Sequence, residues 1–213
     1  MKKIIAILTP LFLLASITAK ADVGMGITGA FHSFDASGTE TTRNSLQKNT
    51  GSHSHDTVVP ELFVEAIGDN GVAVGISWIP VREMGSKSRT DSNSDGDTGT
   101  YTAKAELANV AQLYVDVPLG SYPVYAKLGV QHVTLKTLES LNSGTTYPDA
   151  DLMGITYGLG HKGDLPYGSN LYYKIELTHT EFDDYSETGG STGNTLEADF
   201  DDTAAKVSIG YKF

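Results

Sequence analysis

The chain ends in TAAKVSIGYKF, where Ala205, Val207, Ile209, Tyr211 and Phe213 alternate with Ala204, Lys206, Ser208, Gly210 and Lys212. Period-two alternation puts successive side chains on opposite faces of a β-strand, here one apolar and one small or cationic. The pattern recurs along the chain. Leu171, Tyr173, Ile175 and Leu177 alternate with Tyr172, Lys174, Glu176 and Thr178, and Met153, Ile155, Tyr157 and Leu159 with Gly154, Thr156, Gly158 and Gly160. Val124, Ala126, Leu128 and Val130 oppose Tyr125, Lys127, Gly129 and Gln131. Leu107, Ala111, Leu113, Val115 and Val117 oppose Lys104, Glu106, Gln112 and Asp116, with Asn109 a flaw in the apolar face. Val72, Val74, Ile76 and Trp78 oppose Ala73, Gly75 and Ser77. Leu62, Val64 and Ala66 oppose Glu61 and Glu65, although Phe63 and Ile67 share the polar side. Val23, Met25, Ile27 and Phe31 oppose Gly24, Gly26, Thr28 and His32, which completes eight strands.

The N-terminus constrains where such strands can lie. Lys2 and Lys3 precede an apolar run from Ile4 to Leu14, and Ala19-Lys20-Ala21 offers small residues for cleavage. These are the marks of a secretory signal peptide over residues 1–21, leaving a mature domain at 22–213. No later window has the length of a transmembrane helix, so an exported chain of this kind is either soluble or a closed β-barrel in a membrane. Loss of Lys2, Lys3 and Lys20 takes the formal charge from -11 to -14, which argues against a nucleic-acid partner.

The links between strands run long, short, long, short, long, short, long. Long ones cover roughly 35–56, 85–99, 138–150 and 183–201, and short ones centre on DNG (69–71), LGSYP (119–123) and GDLPYGS (163–169). Short periplasmic turns and longer external loops are the pattern of outer-membrane barrels. The terminal SIGYKF resembles the C-terminal β-signal of Gram-negative outer-membrane barrels. The mature chain resembles the small eight-stranded family that includes OmpA-like, OmpX-like and opacity-type proteins. The resemblance implies an all-β, antiparallel up-and-down barrel, and implies that the barrel-assembly machinery reads Tyr211 and Phe213.

With apolar faces toward lipid, the lumen would contain Glu61, Glu65, Glu106, Asp116 and Glu176 with Lys104, Lys127, Lys162, Lys174 and Lys206. Matched acids and bases suit a narrow interior, because buried charges are costly unless paired. Eight strands leave room only for side chains, so a plugged lumen is expected, with lumen-side glycines leaving space for small water pockets. Tyr173, Tyr211 and Phe213 should form a periplasmic aromatic girdle, and Phe31, Trp78, Tyr101 and Phe182 an external one. Pro60, lacking an N–H, should sit near an external strand end.

Candidate sites in the loops are weaker. Asp91, Asn93, Asp95 and Gly96 fit the first positions of a calcium loop, but the twelfth is Thr102 where a bidentate carboxylate is required. Asp183, Asp184, Glu187, Glu197, Asp199, Asp201 and Asp202 could hold cations bridging to lipopolysaccharide phosphates, or form a solvated surface. His53, His55 and Asp56 could ligate zinc or copper, but a closed site usually needs four ligands. His132, Thr134, His179 and Glu181 share an outward rim without a serine beside them.

The expected function is therefore non-enzymatic, structural or surface-interacting, without metal or cofactor. Expected partners are the outer membrane, lipopolysaccharide, the assembly machinery and an unknown extracellular ligand, with the protein a monomer. A narrow pore, a lipid A hydrolase at the rim and a soluble periplasmic lipocalin-like carrier are the alternatives.

Overall fold

The computed structural model describes residues 21–43, 46, 48–80, 82–92, 98–121, 123–138, 147–166, 170–190 and 192–213, with 82–92 and 98–104 described by backbone alone. The proposed signal segment, apart from Ala21, lies outside these residues. The elements are β1 (Ala21–Thr41), β2 (Lys48–Gly68), β3 (Ala73–Ile79), β4 (Arg82–Ser92), β5 (Thr98–Pro118), β6 (Val124–Thr137), β7 (Ala150–Asp164), β8 (Leu171–Phe182), β9 (Tyr185–Thr188) and β10 (Thr195–Lys212). Neighbours pair antiparallel in the order β1-β2-β3-β5-β6-β7-β8-β10, and β1 pairs β10 to close the barrel. β3 and β4 both pair β5 and make one stave, broken after Ile79 where Pro80 cannot donate. β9 pairs antiparallel with β10 over Thr195–Ala198, beyond the stretch that β8 pairs. The result is a closed eight-stranded antiparallel barrel.

The short turns follow their sequences. Gly71 takes a φ of 80° and Gly120 a φ of 74°, conformations that side chains disfavour. Gly68 N–H donates to Val72 O at 2.9 Å across the DNG turn.

The external segments differ from expectation. Three of the four regions read as long loops are largely strand: β1 continues to Thr41, β2 starts at Lys48, β4 reaches Ser92, and β10 starts at Thr195. Only the link between Thr137 and Ala150 falls where expected. β1 and β2 have 21 residues each, whereas about 9–11 cross a bilayer. The strands are therefore about twice as long as a bilayer crossing needs, and their polar outer parts are joined by contacts such as Thr39 to Thr50 Oγ1 at 3.2 Å.

The wall changes character along its length. In the periplasmic-side section Val23, Met25, Ile27, Leu62, Val64, Ile76, Leu159, Ile175, Leu177, Val207 and Ile209 are exposed outward, as a lipid-facing surface requires. Farther out the sense inverts. Asp35, Ser37, Glu197 and Asp199 occupy the outer face, while Phe34, Val59, Ile79, Leu107, Val110, Val133, Leu135 and Leu152 form a buried cluster inside the barrel. Phe182 packs inward against that cluster rather than in the external girdle. Phe31 and Trp78 do face outward, while the Tyr101 side chain lies outside the described residues.

Two residues mark local breaks. Pro60 lies mid-strand in β2 rather than near its end, but β2–β3 pairing begins only at Leu62, so its missing N–H forfeits nothing toward β3. Asn109 has a φ of 51° and sits at a bulge where the register with β6 shifts between Ala108 and Ala111. One extra residue reverses side-chain parity beyond it. Leu107 consequently points inward, and Glu106 sits half-exposed on the outer face opposite Lys136. Replacing Asn109 by Val should lower the unfolding free energy by about 1–2 kcal/mol, because a β-branched residue strongly disfavours positive φ. Asn109→Gly should be within ~0.5 kcal/mol of the parent. Urea unfolding in detergent followed by Trp78 emission checks this, and equal losses for both variants would refute the bulge assignment.

Candidate functional site

The lower lumen carries most of the charged chemistry. Lys174 lies at its centre, its Nζ 2.7 Å from Asp116 Oδ2 and 3.0 Å from Glu65 Oε2. Lys127 Nζ bridges Asp116 at 3.1 Å and Glu176 at 2.9 Å. Toward the external side Lys206 holds Glu61 through two contacts, at 2.9 and 3.1 Å. All of these side chains are buried. Period two on β2, β5, β6, β8 and β10 brings them to one axis, since each occupies the inward parity of its strand.

Seven of the ten predicted lumen charges thus converge. Lys162 sits apart, at the periplasmic mouth, donating to Gly71 O at 2.6 Å. Glu106 is a correction: the Asn109 bulge turns it to the outer face. The Lys104 side chain lies outside the described residues.

Several network members were not singled out from sequence. His32 Nδ1 is 2.7 Å from Asp202 Oδ2 and its Nε2 is 3.1 Å from Glu61 Oε1. Each ring nitrogen thus lies within hydrogen-bond distance of a carboxylate oxygen. Tyr114 and Tyr172 donate to Glu65 at 2.7 and 2.8 Å, and Tyr125 donates to Glu176 at 2.7 Å. The signal was present in each case, because these residues share the parity of the lysines.

The lumen glycines accommodate these rings rather than opening water pockets beside them. Gly160 lies directly opposite Tyr125, and a Cβ there would come within 2.2 Å of the ring. Gly75 stands in the same relation to Tyr114, at 2.5 Å. A void of about 10 Å³ remains among Thr28, Ser77, Tyr114, Lys127 and Lys206, near the lower limit for one water. Above the ions, Phe34 stacks on His32 with centroids 5.6 Å apart. Tyr147 and Tyr185 complete the apolar cluster at the external end, Tyr147 donating to Glu40 at 2.9 Å and Tyr185 to Pro148 O at 3.0 Å.

The other candidates separate. His53 and Asp56 fall on opposite faces of β2 by alternation, so the possible zinc set does not assemble. Residues 93–97 of the calcium-like stretch lie outside the described residues. The acidic run is divided, with Asp202 inside against His32 while Glu197 and Asp199 face out. Among the described residues no group of three or more His, Asp or Glu could hold a metal ion.

On the external rim His179 Nδ1 lies 2.9 Å from Thr203 Oγ1, and its Nε2 lies 4.0 Å from Glu181. His132 Nε2 is 3.6 Å from Asp151, which accepts from Thr134 at 2.8 Å. A hydroxyl therefore does reach His179. Thr203 is paired on both sides, opposite His179 and opposite Ser33, which engages the local amides that an oxyanion hole would need. At the opposite end Tyr211 and Phe213 are exposed, their rings 4.9 Å apart, and Phe213 N–H donates to Val23 O at 2.9 Å.

The outer membrane protein OprG from Pseudomonas aeruginosa aligns with a TM-score of 0.51 at 15% identity, over 92% of this chain and 98% of its own. This chain has the fold of an outer-membrane β-barrel. The barrel also aligns with the outer membrane protease OmpT from Escherichia coli, with a TM-score of 0.47 at 10% identity over 93% of this chain and 100% of that one. Ail, the attachment invasion locus protein of Yersinia pestis, gives 0.35 at 10% identity over 88% and 99%. At these identities the likeness is one of fold. No family model and no curated protein matches the barrel.

Lys174→Met should destabilise the barrel by about 3–5 kcal/mol, because it leaves buried Glu65 and Asp116 without their shared cation. Urea titration of the detergent-folded protein measures the loss, and a change below ~1 kcal/mol would show that the ion cluster is not structural.

Proposed function

We propose that this protein is a non-enzymatic integral component of the Gram-negative outer membrane, exported through a cleaved signal peptide. Its sealed barrel serves as a post that holds a strand-built rim above the lipid. One observation carries the reading: the wall is apolar outside over the lower section and polar outside over the upper. A chain wholly in water has no reason to expose Ile27, Ile76, Leu177 and Ile209 together.

The ionic lower lumen and the apolar upper one both support a plug. Lipopolysaccharide headgroups would meet the rim that carries His132, Asp151, His179 and Glu181. The assembly machinery would read Tyr211 and Phe213, and the extended hairpins would meet an extracellular ligand as a monomer.

The protein should remain in the membrane after osmotic shock, require detergent for extraction and show heat-modifiable gel mobility. In planar bilayers it should give no stepwise current. Release by osmotic shock alone would favour a soluble carrier, and discrete conductance steps a narrow pore. Acyl release from lipid A that disappears in His179→Ala would establish a hydrolase.

A further inference from the structure

We propose that the periplasmic mouth of the barrel binds small amphipathic carboxylates. The ends of β2, β7, β8 and β10 enclose a cavity of about 240 Å³, bordered by Ile67, Lys162, Asp164, Tyr172 and Lys212. Lys127, Lys174 and Lys206 each meet a carboxylate within 3.1 Å. Lys162 does not. Its ammonium donates to the neutral Gly71 carbonyl, and among the described residues no carboxylate lies within 4.0 Å of it. It is half-buried on the cavity wall, its Nζ 5.5 Å from the Tyr125 ring centroid, where a cation is partly desolvated with no carboxylate in direct contact.

The remaining lining supports an anion with a short apolar part. Lys212 is ion-paired with Asp164, whose side chain is 70% exposed, so an incoming carboxylate competes with a largely solvated partner. Among the residues lining the cavity, two ammonium groups face one carboxylate. Tyr172 is fixed by its bond to Glu65 and offers its ring to the cavity, with Lys212 Nζ 5.6 Å from the ring centroid. Ile67 adds aliphatic surface. A carboxylate at Lys162 with several methylenes against Ile67 and Tyr172 satisfies both the charge and the shape.

Calorimetry on the folded protein in nonionic detergent, with acetate, butyrate, hexanoate and inorganic phosphate as probes, tests this. Saturable binding should tighten up to about fourfold for each methylene that becomes buried, with phosphate weakest. Lys162→Gln should weaken hexanoate at least tenfold and Lys212→Gln less, with heat-modifiable mobility reporting that each variant is folded. Acylation of Lys162 in the unmutated protein, read by mass spectrometry, should slow in hexanoate, which supplies a readout if Lys162→Gln does not fold. Equal binding of phosphate and hexanoate, unchanged affinity in folded Lys162→Gln, or no saturable binding and no protection would each overturn the proposal.

Discussion

Closure of the backbone ladder between β1 and β10 is the constraint on which the rest depends. Lipid offers no hydrogen-bond partner, so a strand bundle within it must leave no edge. The pairing runs without interruption from Gly24 opposite Lys212 to Thr41 opposite Thr195. Once the cylinder is shut, alternation leaves each side chain only two destinations, and the surrounding medium decides which residue type goes to which. The inward charges of the lower section follow from the outward hydrocarbons beside them.

Inside, the two sections solve the packing problem differently. The lower one holds ions close enough to neutralise one another, with tyrosine hydroxyls donating to the carboxylates and glycines giving the rings room. Such pairs contribute little net stability against a well-packed apolar alternative, yet breaking one is expensive. The upper section uses that apolar alternative directly, beneath an outer face that carries Asp35, Ser37, Glu197 and Asp199. His32 is the hinge between the two, bonded to Glu61 and Asp202 and stacked on Phe34.

Much of this was legible from period two alone. Strand count and the inward course of Glu61, Glu65, Asp116, Lys127, Lys174, Glu176 and Lys206 follow from parity, which needs no knowledge of contacts, while closure follows from the export signal and the lack of a helix-length apolar window. Parity failed where the backbone added a residue. Asn109 looked like a blemish in an apolar face, whereas it is the bulge that turns Glu106 outward and Leu107 inward. The tall hairpins were hidden by composition, because Ser, Thr, Gly and Asp read as loop residues unless pairing holds them in register. Phe182 was misplaced for a related reason, since nothing local to a strand announces that its environment has changed from lipid to water.

The inversion has a consequence for how the chain selects its register. Shifting any stave by a single residue exchanges its two faces along the whole length. In β10 such a slip would thrust Lys206 into hydrocarbon and, in the same stroke, turn Phe200 toward water and Asp199 into the oily interior. An alternation of uniform sense would incur one kind of penalty. Here two chemically opposite penalties are carried on one strand, so misaligned pairings are rejected from both ends of the barrel.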